Sequence, residues 1–164
     1  MKRPVELALA IALPISWACA EANDTASIEE LKALAENGDK DATHSLCYKY
    51  IYGVDVDKDY AAARRWCESA AATGNASSQI LLAEIFYFGH GVAVDHKKAF
   101  ELFYAAAVQG HPHAELMVAT MYGRGQGVAS DPAQAEQWLR RSASTGYEPA
   151  KALLAEYEAS FAPK

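Results

Sequence analysis

An all-α chain, an α/α solenoid of antiparallel helical hairpins with three 36-residue repeats plus capping helices, is the fold class that three observations predict. Glycines at 38, 74, 110 and 146 recur every 36 residues, and the small residues Ala42, Ser78, Ala114 and Ala150 lie four positions beyond them. Within each unit the apolar residues keep a helical period. The composition is that of a folded domain: 164 residues, 51% hydrophobic and 22% charged, enough chain for one real core. Net charge is −6 with no basic block, which argues against nucleic acid, because binding there rests on neutralising phosphates. No apolar run reaches the roughly 18 to 20 residues of a membrane-spanning helix. An acidic face suits protein partners.

The first segment is read as a leader rather than as part of the fold. Lys2 and Arg3 open it, Leu7 to Trp17 is almost uncharged and apolar, and Ala18-Cys19-Ala20 sets small residues before Glu21. That is a signal-peptide pattern over residues 1–20, with cleavage expected after Ala20 and export to the periplasm or the secreted space. Lipidation at Cys19 is disfavoured by Ser16, which stands where lipoprotein signals usually carry Leu. Cleavage would leave 13 basic and 20 acidic side chains, a net charge of −7.

The solenoid is expected over residues 27–161. Ser27 and Glu30 form an S-x-x-E capping box ahead of Leu31 and Leu34, which predicts a short opening helix. Three units follow at about 39–74, 75–110 and 111–146. In the first helix of each unit Ala42, Leu46 and Tyr50 recur every four residues, and Leu82, Val118 and Leu154 continue the Leu46 column. Gly53, Gly89 and Gly125 end those helices. Asp59, Asp95 and Asp131 stand as N-caps of the second helices, and Pro132 takes a favoured first helical position. In the second helix Ala63, Trp66, Cys67, Ala70 and Ala71 trace an amphipathic stripe. Pro149 to Phe161 repeats the first-helix pattern but turns polar with Glu156 and Glu158, as a closing cap over 148–161 should. About eight helices result.

The run Tyr122-Gly-Arg-Gly125-Gln-Gly127-Val128, followed by Asp131, Ala135, Trp138 and Gly146, resembles the Sel-one-like repeat, a relative of the tetratricopeptide repeat. The second unit matches through Phe86, Gly89, Gly91, Val92, Asp95 and Ala99. The first departs from the pattern with Asp55 in place of the second turn glycine, and Asp tolerates left-handed backbone better than most residues. The resemblance implies a right-handed superhelix and a protein or peptide partner held on the concave face. Carried over position by position, the first helices would line that face with His44, Tyr48 and Tyr52, then Ile80, Glu84, Tyr87 and Phe88, then His113, Leu116, Thr120 and Arg124. Tyr, Phe and Arg are enriched at interfaces, so this set reads as a peptide groove. The alternative for each aromatic ring is packing between neighbouring hairpins.

Cys47 and Cys67 lie about equally far from the turn near Asp55, so antiparallel helices bring them together. The expected arrangement is a disulfide, with two buried thiols as the alternative. Some secreted members of the family carry a bond in each repeat, at other positions, and the second and third units here have none, so the chain is only loosely like the cysteine-rich branch.

Residues for chemistry are sparse. Asp55, Asp57 and Asp59 start like a calcium loop, but Tyr60 replaces its Gly and Trp66 its bidentate Glu. His90 and His96 sit at the opposite end of the hairpins from His44, His111 and His113, which makes no metal site. Cysteine-rich relatives have been described as binding or hydrolysing β-lactams, yet no serine here has Lys three residues later and H-E-x-x-H is absent. The expectation is therefore a non-enzymatic binding module without a cofactor, with a structural subunit of an envelope complex as the main alternative.

Overall fold

A computed structural model describes residues 26–159, so the leader reading of residues 1–20 lies outside the described residues. Those described are helical with connecting turns. They form α1 (Ile28–Glu36), α2 (Lys40–Tyr52), α3 (Tyr60–Ala72), α4 (Ala76–Phe88), α5 (His96–Val108), α6 (Pro112–Arg124), α7 (Pro132–Ser144) and α8 (Glu148–Ala159). From α2 to α7 every helix has 13 residues, and the period of the sequence is the period of the helix starts.

Local chemistry sets the ends. At α1 the Ser27 hydroxyl accepts the Glu30 N–H at 3.2 Å while the Glu30 carboxylate accepts the Ser27 N–H at 2.8 Å, the reciprocal box expected from the sequence. Asp59, Asp95 and Asp131 cap α3, α5 and α7 through their carboxylates, as read from their spacing. Asp39 and Asn75 do the same for α2 and α4, whereas α6 starts on His111 with no side-chain cap and Pro112 in the first turn. Gly53, Gly89 and Gly125 close the first helices in left-handed backbone.

The chain divides into two compact units, described here through Val94 and from Asp95. In the first, α2 packs against α1 and α3, and α3 against α4. Leu31, Leu46, Ala63, Ile80 and Ile85 are at most 1% exposed there. In the second, α6 packs against α5 and α7, and α7 against α8, with Phe103, Leu116, Val118 and Met121 wholly buried. Leu154, expected in the core column, is only half-buried, and its neighbour Leu153 is the buried leucine of α8. The polar closing helix has α7 as its packing partner, so its apolar stripe rotates toward that one side.

Cys47 and Cys67 form a disulfide between α2 and α3, with Cα atoms 4.8 Å apart and both residues fully buried. In the third repeat the equivalent positions hold Ala119 and Leu139, also buried. The bond thus occupies a site where that repeat packs a small residue opposite a large one.

The turn after each first helix distinguishes the repeats. Gly91 and Gly127 have φ of 68° and 72°, and Asp55 adopts the same region at 57°, the sole non-glycine to do so among the described residues. A Cβ at Gly91 would come 2.7 Å from the Tyr60 Cβ, and one at Gly127 would collide with the His96 carbonyl. The Asp55 side chain is 66% exposed and pairs with Lys49 at 2.6 Å.

Candidate partner-binding surface

In the unit through Val94 the predicted surface rests on α2 and α4. Four-residue spacing sets His44, Tyr48 and Tyr52 in a row along one side of α2. The Tyr48 and Tyr52 rings lie 4.7 Å apart at 50°, and the Tyr52 hydroxyl donates to Glu84 Oε2 across the helix pair at 2.9 Å. Burial, then the Glu84 carboxylate, pushes the Tyr52 phenol far up, so it remains a neutral donor at any physiological pH. On α4, Tyr87 and Phe88 meet edge to face at 4.9 Å, and Phe88 is 53% exposed. Phe88 also leans on His90, which stacks on Tyr60 at 4.8 Å. His44 shares a 2.9 Å hydrogen bond with Ser78, and burial lowers its pKa against an opposing pull from Asp41. The structure therefore brings Tyr48, Tyr52 and Glu84 together and sets Tyr87 beside Phe88.

Ile80 is not part of that surface. It is 1% exposed, because α4 is apolar on nearly every side from Ile80 to Phe86. In the unit from Asp95 the same holds for His113, Leu116 and Thr120, which are buried in a helix whose residues from His113 to Met121 are all covered. The Thr120 hydroxyl turns back to the Leu116 carbonyl at 2.9 Å, and His113 shares a hydrogen bond with the Tyr147 hydroxyl at 3.1 Å. These side chains serve packing rather than a groove. Arg124, in the last turn of α6, is exposed.

Two charged pairs escaped the sequence reading. Glu115 on α6 is 1% exposed and its Oε1 receives Arg141 Nε of α7 at 2.6 Å. The Arg141 guanidinium also lies 5.2 Å from the Trp138 ring. Burial raises the Glu115 pKa while Arg141 holds it back, and Glu115 Oε2 finds no hydrogen-bond donor among the described residues. The signal was present: a lone acid in the apolar run His113 to Met121 needs a buried partner. Lys49 is the second case, 5% exposed on α2 and paired with Asp55. Among the described residues no three His, Cys, Asp or Glu side chains come together as a metal site would require.

Tandem helical hairpins with a regular 36-residue period make this an α/α repeat protein. The Sel1 repeat matches residues 40–75, 76–111 and 112–147, and the chain belongs to the Sel1 repeat family. Its fold class is the helical solenoid of that family. A Sel1 repeat protein from Oxalobacter formigenes is similar at 33% identity and a TM-score of 0.70, over 82% of this chain and 98% of that one. The protein c5321, a protective antigen present in uropathogenic Escherichia coli strains and displaying an SLR fold, is similar at 30% identity and a TM-score of 0.77. That match covers 82% of this chain and 29% of c5321. Helicobacter pylori cysteine rich protein B shares the fold at 18% identity and a TM-score of 0.62, over 77% of this chain and 96% of that one. No relative among the curated proteins matches. Sel1 repeats are in general modules of protein–protein interaction and non-catalytic scaffolds. No described helix is long and apolar enough to cross a membrane.

Proposed function

We propose that the protein is a non-enzymatic interaction module of the periplasm or secreted space that binds a peptide or protein partner on the first-helix face of its hairpins. The observation that carries this reading is the aromatic surface of α2 and α4, where Tyr48, Tyr52, Tyr87 and the exposed Phe88 accompany Glu84. Large rings on a rigid helical scaffold offer contact area at small entropic cost. The leader pattern and the Cys47–Cys67 bond support an oxidising location. Crosslinking in the native envelope identifies the partner, and replacing both Tyr52 and Tyr87 by Ala should weaken its capture by more than about 2 kcal/mol. Unchanged capture by a folded double variant would send the partner to another face.

A second reading, assembly within an envelope complex, is favoured by α5. Tyr104 and Val108 are 40% and 52% exposed, where the equivalent positions hold Glu68 and Arg140, and Ala72 and Ser144. Loss of co-purifying subunits from a Tyr104→Glu, Val108→Ser variant with its groove intact would favour that role.

A further inference from the structure

We propose that the exposed face of α5 is the two-fold interface of a homodimer, in which α5 of one copy lies antiparallel along α5 of a second. The inference rests on the second reading above, assembly through α5, and names the partner as this chain itself. Lys97, Glu101, Tyr104 and Val108 are all exposed and are spaced by four, three and four residues. That spacing is the seam along which two helices pack side by side. On the other side of the helix Ala99, Phe103, Ala106 and Ala107 are wholly buried. The equivalent positions hold Ala61, Arg65, Glu68 and Ala72 in α3, and Ala133, Gln137, Arg140 and Ser144 in α7, so the repeat does not require this stripe. Phe100 and Trp138 brace Tyr104, with ring centroids 5.8 and 5.5 Å from its own, which holds the ring ready for a partner.

Complementarity along the stripe selects a second copy, and an antiparallel one. A pair centred between Glu101 and Tyr104 sets Glu101 opposite Tyr104 of the second copy, and Lys97 opposite its Val108. Symmetry makes each contact twice. The carboxylate accepts the facing phenol hydroxyl in a charge-assisted bond, while the lysine stem covers the facing valine and leaves its ammonium in water. The helix ends agree. Beyond the Asp95 cap, the first turn of α5 carries Lys97 and Lys98 and no acid, and its last turn carries no base. That order is the reverse of what the dipole of the helix favours, and an antiparallel neighbour brings Lys97 of each copy to the negative end of the other. A parallel pair would set Lys97 on Lys97 and Glu101 on Glu101, and like charges repel.

The test is analytical ultracentrifugation of the protein purified from its own envelope, over a range of concentrations. Wild type should pass from monomer to dimer as concentration rises. Tyr104→Glu with Val108→Ser should raise the dissociation constant by about tenfold or more, with helical content followed by circular dichroism. Glu101→Lys, an exposed change that leaves the core untouched, should weaken the dimer by a similar factor. Cysteine cross-linking reads the direction of the pair: a mixture of Glu101→Cys and Tyr104→Cys proteins should form a disulfide-linked dimer under mild oxidation severalfold more than either protein alone. Wild type, treated in the same way, sets the background. A monomer at every concentration up to about 1 mM, a dimer indifferent to both sets of substitutions, or equal cross-linking by each cysteine variant alone would overturn the inference. The second reading would still stand if the protein were monomeric and the Tyr104→Glu, Val108→Ser variant lost its co-purifying subunits. A monomer whose variant kept those subunits would overturn both.

Discussion

Breaking the Cys47–Cys67 bond tests how the first hairpin is held. The cross-link closes a loop of 20 residues, and restricting the unfolded chain to that extent is worth about 3 kcal/mol. Both cysteines are also wholly buried, so replacing them by Ala removes packed atoms as well as the link. The third repeat supplies the control, because Ala119 and Leu139 fill the equivalent positions on α6 and α7 without a bond. A Cys47→Ala, Cys67→Leu variant copies that pair and should lose about 3 kcal/mol, the cross-link term alone. Cys47→Ala with Cys67→Ala should lose about 2 kcal/mol more, the cost of leaving a cavity where Leu would sit.

Urea unfolding followed by circular dichroism reads both differences. At the slopes usual for a chain this size, a loss of about 3 kcal/mol lowers the midpoint by about 1 to 2 M, and reduced wild type should fall with the first variant. Two results would refute the reasoning. One is an unfolding midpoint for reduced protein equal to that of oxidised protein. The other is labelling of two free thiols in denatured protein taken from its own compartment.

Gly127→Ala should destabilise by more than about 3 kcal/mol, since its Cβ would run into the His96 backbone, whereas Gly146→Ala, with φ of 87° and nothing within 4 Å, should cost only the left-handed penalty of about 1 to 2 kcal/mol. Equal losses in thermal melts would mean that the close approach is absent. Glu115 has a pKa raised in the fold, so the folded state holds its proton more tightly than the unfolded one. Its contribution is therefore fully present below the ordinary carboxylate range and is lost as pH rises through the raised value. Relative to Glu115→Gln, wild type should lose stability as pH rises above the ordinary carboxylate range in denaturant titrations, and a parallel pair of curves would refute the shift.

Much of the fold was legible because the repeat gives independent copies of each signal. A glycine ending a helix or an aspartate starting one is weak alone, yet in a 36-residue register Asp59, Asp95 and Asp131 identify one another as caps. The surface was harder to read. Residues on a helix face are assigned by period, but period does not tell how many sides of the helix are covered. On α2 the polar residues between Lys40 and Tyr52 leave Tyr48 and Tyr52 partly open, whereas α6 is covered from His113 to Met121, so the same positions become core in Leu116 and Thr120. Glu115 shows a further limit, since the partner that allows it to be buried, Arg141, lies 26 positions away in the chain.

The first repeat departs from the other two at two positions that explain each other. Lys49 stands where the later repeats have Ile85 and Met121, both wholly buried, and Asp55 stands where they have Gly91 and Gly127. The glycines are required because the first turns of α3 and α5 press on them through Tyr60 and His96. In the same register the counterpart of Tyr60 and His96 is Asp24, but α1 begins at Ile28 and ends in phase at Glu36. It is nine residues long against thirteen in α3 and α5. The Asp55 side chain is 66% exposed, and Asp is among the residues that bear left-handed backbone at least cost. With a carboxylate there, a lysine can replace the core aliphatic residue: its stem fills the buried space of Ile85 or Met121 while its ammonium reaches Asp55 at 2.6 Å. Neither substitution stands well alone. Lys49 without Asp55 leaves a largely buried cation unpaired, and Asp55 without Lys49 keeps the backbone strain with nothing gained. The lysine and the left-handed aspartate are thus one substitution in two parts.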